Sequence, residues 1–91
     1  MSFSLARVDE PGVLVETAKW AEDEDALILR LYEADGGAGR ASVSLGVPAA
    51  RVDQVDLLER NPLHIEMIDT MHVQPDVRAH EVKTLRIELA R

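Results

Sequence analysis

The sequence has 91 residues, 46% of them hydrophobic, a formal net charge of −7 and no cysteine. That length suits one domain with a modest core, the apolar content argues against intrinsic disorder, and the missing thiols exclude disulfides and thiolate chemistry. The acidic balance speaks against binding to phosphate backbones, which needs clustered Lys and Arg, so no nucleic-acid partner is expected. No basic leader with a sustained apolar run opens the chain, and nowhere do about 18 apolar residues occur together, so no membrane partner is expected either. A cysteine-free chain of this kind fits a reducing, cytoplasmic location. Its three aromatic residues, Phe3, Trp20 and Tyr32, leave a core built from aliphatic side chains.

Along the chain, alternation with a period of two dominates over the helical period. Phe3 and Leu5 begin one candidate strand, and a second sets Val13, Val15 and Thr17 against Leu14, Glu16 and Ala18. Asp9-Glu10-Pro11-Gly12 separates the two, with Pro and Gly supplying the dihedrals of a tight connection. The run Glu22-Asp23-Glu24-Asp25 ends the second strand as a solvated loop, because adjacent carboxylates repel one another. Residues 26–34 place Leu27, Leu29 and Leu31 on one face and Ile28, Arg30 and Tyr32 on the other, the pattern of a central strand. Three glycines within residues 35–39 permit positive φ and predict a β-hairpin that joins this strand to Ala41, Val43 and Leu45.

Val47-Pro48 breaks that second arm. Residues 51–58 read as a strand, with a short helix as the alternative because Val52, Val55 and Leu58 also fit helical spacing. Beyond Asn61-Pro62, Ile65 and Met67 alternate with His64 and Glu66, and Asp69-Thr70 turns towards Met71 and Val73. Residues 81–89 form a half-buried strand with Leu85, Ile87 and Leu89 inward and Thr84, Arg86 and Glu88 outward. About seven or eight short strands without a long helix predict an all-β fold, an antiparallel β-sandwich. No linker or repeat divides residues 1–91, which read as a single domain.

Candidate chemistry is sparse. Oxygen-rich loops can hold calcium, but residues 22–25 lack EF-hand spacing and its central glycine, so a solvated turn is the better reading. His64, His72 and His80 recur at intervals of eight, and zinc would require them to meet in space, with no Cys or close His pair to help. Nominal carboxylate pairs such as Glu16 with Glu33 are too abundant to mark a glycosidase centre. The glycines at 36–39 lack the Lys-Ser/Thr ending of a phosphate-binding loop. Trp20 and Tyr32 would stack a sugar only if both project from one sheet face; packing under a loop is the competing account.

Several segments carry a resemblance. Val13-Leu14-Val15-Glu16-Thr17-Ala18-Lys19, Ala21-Glu22-Asp23, Leu29-Arg30-Leu31-Tyr32-Glu33 and Gly36-Gly37 occur in the order seen at the C-terminal end of family 38 glycoside hydrolases, the α-mannosidases. Asp56-Leu57-Leu58-Glu59 and Glu81-Val82-Lys83-Thr84-Leu85-Arg86 resemble later parts of the same region. The chain departs from it at Ala79 and His80, where a proline and an aromatic residue are usual, and at Glu24-Asp25-Ala26, where a glycine-containing turn is commoner.

The resemblance implies that the full-length enzymes are zinc-dependent retaining α-mannosidases whose nucleophile and metal ligands lie in an N-terminal α/β domain. It therefore implies no catalytic residue, metal or cofactor in this chain, which is expected to be inactive alone. The expected role is a noncatalytic structural domain, with other domains of the enzyme as partners. A carbohydrate-binding module and an unrelated protein-interaction sandwich are the alternatives. Lys19, Glu22, Asp23, Arg30, Tyr32 and Glu33 are the candidates for a structural network or domain contact. Arg30, on an otherwise apolar strand, calls for a carboxylate partner among Glu33, Glu22 and Asp23, since an unpaired buried charge is costly.

Overall fold

Alternation in the sequence becomes twelve mostly short strands in the computed structural model, which describes residues 2–3 (backbone alone), 6–10, 12–21, 26–37 and 39–90. They are β1 (Ser2–Phe3), β2 (Ala6–Val8), β3 (Val13–Trp20), β4 (Ala26–Glu33), β5 (Gly39–Arg40) and β6 (Val43–Leu45). The second half adds β7 (Ala49–Val55), β8 (Leu63–Ile65), β9 (Met67–Asp69), β10 (His72–Val73), β11 (Asp76–Val77) and β12 (Val82–Leu89). No helix among the described residues is long and apolar enough to cross a membrane.

One five-stranded sheet runs β3-β4-β12-β7-β8, the other runs β1-β2-β6-β10-β9, and β11 pairs with β5. Every pair is antiparallel. Leu27, Leu29 and Leu31 of β4 and Leu85 and Ile87 of β12 face Val8, Val43 and Val73 of the opposite sheet in one buried cluster. This is the expected sandwich, and burial of each such side chain contributes about 1.5–3 kcal/mol. The strand number exceeds expectation because two-residue pairings such as β5 and β11 leave no periodic signature.

Four local differences have physical causes. Residues 26–34 and 41–45 do not form a hairpin: β4 already has β3 on one edge and β12 on the other, so the chain crosses to the second sheet, where β6 pairs with β2 and β10. In β3 a bulge at Glu16 shifts the ladder from Val15–Leu31 to Thr17–Arg30. Thr17 thus shares the outer face with Arg30, and Ala18, not Thr17, packs on the core. Residues 51–55 are strand as expected, but 56–58 leave it for a turn. Asp69 and Thr70 do lead a turn, which sets β10 beside β9. Leu5, Pro11 and the acidic run at 22–25, with its loop and calcium readings, lie outside the described residues.

The bulge yields a test. Deleting Glu16 removes the extra residue yet leaves Val15 inward and Thr17 outward, so the shortened chain should unfold cooperatively near the parent midpoint. Deleting Ile28 from bulge-free β4 throws its following residues onto the wrong face and should abolish cooperative unfolding. Thermal melts of the two deletions check this, and equal losses would contradict it.

Candidate functional site

Strand β4 ends on the inner face with a carboxylate where a core residue would stand, and Glu33 is only 5% exposed. Its Oε2 accepts the amide of Asp35 at 3.1 Å, and its Oε1 accepts those of Gly36 at 2.7 Å and His80 at 3.0 Å. One side chain thereby ties the turn after β4 to the turn before β12. Left-handed backbone at Gly36 (φ 83°) and His80 (φ 56°) shapes the two turns that deliver these amides. Backbone bonds from Glu33 N to Glu81 O (3.0 Å) and Ala34 N to Gly12 O (2.8 Å) bring in the start of β3. A Cβ at Gly12 would meet the Asp35 carboxylate, which would have to swing aside to admit it. The His80 amide foremost, with those of Gly36, Asp35 and Gly37, holds the Glu33 carboxyl below the usual glutamate range although burial pushes the other way.

Arg30 stands on the outer face of β4 opposite Thr84, which is 2% exposed, and its Nε donates to Thr84 Oγ1 at 3.3 Å. The expected pairing with Glu33 does not occur: three residues on, Glu33 faces the other side of the sheet and its oxygens serve amides. The other two proposed partners, Glu22 and Asp23, lie outside the described residues. Tyr32 sits in an outer row between Leu14 of β3 and Val82 of β12, both partly exposed. Lys19 reaches across to Glu59, Nζ to Oε2 3.1 Å, an exposed pair worth about 0–1 kcal/mol. Glu59 belongs to a turn that Asp56 organises by accepting the amides of Leu58 and Arg60, each at 2.9 Å, and Asn61 Nδ2 at 2.8 Å. The Arg60 amide foremost, with Asn61 and Leu58, holds the Asp56 carboxyl below its usual range.

Other constellations do not assemble. His64 of β8 lies 3.8 Å from Asp53 of β7, while His72 pairs with Asp69 at 2.8 Å on the opposite sheet and His80 sits in the turn before β12. No group of three or more His, Asp or Glu side chains able to hold a metal forms among the described residues, so they do not fit a zinc site. Glu16 is exposed in its bulge and Glu33 is inside. Trp20 takes the inner-face register beside Leu27 at a sheet edge, 54% exposed, whereas Tyr32 is outward, so the two form no common stacking platform. Lys83 went unnoticed in the sequence although it shares parity with Leu85 and Ile87. Its side chain is inner-facing and buried, and its Nζ donates to the Asp76 carbonyl.

Residues 12–85 match the profile of the glycosyl hydrolases family 38 C-terminal beta sandwich domain. This chain belongs to that family. The family 38 domain is also 40% identical over 62 residues to the human protein alpha-mannosidase 2C1, an alignment covering 65% of this chain and 6% of the relative. The match takes in the whole of the Glu33 arrangement: Gly12, Glu33, Gly36 and His80 all fall within it. The family 38 domain therefore has its motif glutamate in an architectural position, with the segment around Asp56 shaped by a second capping carboxylate.

Because the Glu33 pKa is depressed on folding, its stabilising contribution is present above the unfolded value, about 4.3, and is lost as pH falls through the folded value. Glu33→Gln should lower the thermal midpoint by several degrees at pH 7, with the gap to the parent closing as pH drops below about 4. Midpoints of both proteins across that range check it, and a constant gap would contradict it. Arg30→Ala should cost about 1 kcal/mol in urea unfolding through loss of the Thr84 bond and stem packing; an unchanged transition would rule out a structural role.

Proposed function

We propose that this domain is a noncatalytic structural module of an α-mannosidase, packing against other domains of that enzyme. The observation that carries the reading is the family match over residues 12–85, with an alpha-mannosidase relative of which the aligned stretch is only 6%. Hydrolysis of α-mannosides, and the zinc it uses, then belong to other parts of the polypeptide. Support also comes from the outer face, where Leu14, Tyr32 and Val82 form a continuous row across three strands. Leu57 and Leu58, in the turn that follows β7, are also exposed. Surfaces of this mixed kind suit contacts between domains of one chain.

Removal of the matching segment from human alpha-mannosidase 2C1 tests the reading. The shortened enzyme should lose thermal stability or soluble yield, while the fraction that folds keeps its kcat within about tenfold, a change of about 1.4 kcal/mol in the barrier. A deletion enzyme of unchanged stability whose kcat falls by orders of magnitude would contradict it.

A further inference from the structure

Where β8 hands over to β9 across Glu66, the two sheets diverge around a groove of about 420 Å³. That volume lies within the range of small-molecule sites, about 300–1,000 Å³. Its floor differs from the rest of the interior. Gln54 of β7 and Lys83 of β12 occupy inner-face positions, paired in register with Leu85 and Leu31. Lys83 has its side chain 9% exposed, with Nζ on the Asp76 carbonyl and 3.8 Å from Glu81. The Gln54 amide, although it lines the groove from a core-facing position, makes no hydrogen bond among the described residues. Gln54 is half-buried and no side-chain nitrogen or oxygen among the described residues is buried without a partner, so this amide opens onto the solvent of the groove and can meet a ligand there.

The walls narrow the choice of ligand. Arg40 and Lys83 are balanced by Glu66 and Asp76, so the lining carries donors and acceptors but no excess charge. A bare anion would meet two carboxylates, and a purely apolar ligand would cover the Gln54 amide without pairing it. On the remaining side Leu63 and Ile68 are 64% and 62% exposed, offering an aliphatic surface beside the polar groups. We propose that the groove is a binding site for a neutral polyhydroxylated ligand, a hexose or hexoside. Hydroxyls of such a ring donate to Glu66 and Asp76 and accept from Gln54 and Lys83, while its C–H face packs on Leu63. The site goes beyond the structural role proposed above and does not depend on it.

Titration of the ¹⁵N-labelled 91-residue chain with methyl glycosides of mannose, glucose and galactose tests the proposal, with sodium phosphate and sodium acetate as anion probes. At least one glycoside should give saturable shifts concentrated at residues 54, 63–66, 74–76 and 83, with a Kd of about 1–10 mM. Gln54→Leu should weaken that binding at least tenfold while keeping or raising the thermal midpoint, which separates loss of the ligand from loss of the fold. No saturable shift with any glycoside, equal affinity in the variant, or tighter binding of phosphate or acetate would each overturn it. Changes in the stability of a deletion enzyme bear only on the structural role, so the two ideas fail independently.

Discussion

A buried carboxylate at the end of β4 is the constraint on which this sandwich turns. Without Glu33, the amides of Asp35, Gly36 and His80 would lose the acceptor they share through part-buried bonds, and the two turns would lose what ties them together. With it, the same amides hold the side chain ionised and fix the exit of β4 against the entry of β12. Those strands lie side by side in the β3-β4-β12-β7-β8 sheet, so the polar knot sits at the rim of the ladder that carries the core leucines. Because β4 is flanked on both edges, the chain leaves for the other sheet, pairing briefly as β5 with β11 before β6 joins β2 and β10.

Much of this was legible in the sequence and some was not, for identifiable reasons. Alternation at Leu27, Leu29 and Leu31, and again at Leu85 and Ile87, identified the two central strands because each buries one complete face. Glycines at 36, 37 and 39 marked a turn correctly but could not say which strand it led to, since edge occupancy is a property of the whole sheet. The bulge at Glu16 was invisible because an extra residue inverts alternation only after it, and Thr17 and Ala18 are both small enough to read either way. Gln54 escaped notice because Val52 and Val55 point to opposite faces and blur the period. Of the three carboxylates offered to Arg30, parity rules out Glu33, which shares its face with the leucines, whereas Thr84 lies directly opposite Arg30.

The two faces of the larger sheet divide the labour. Outward, the row of Leu14, Tyr32 and Val82 and the exposed leucines of the following turn suit contact with protein. Inward, glutamine and lysine replace aliphatic residues near the β8–β9 corner, as Glu33 does at the end of β4. The proposed support and the proposed groove thus use separate surfaces of this domain.

The Glu33 knot is tested most directly by a pH titration of its side-chain carboxyl ¹³C resonance, recorded with the amide protons of Gly36 and His80. All three signals should share one midpoint below the ordinary glutamate range, because the amides report the carboxylate they bind. A Glu33 midpoint at or above that range, with the two amides indifferent to it, would contradict the account.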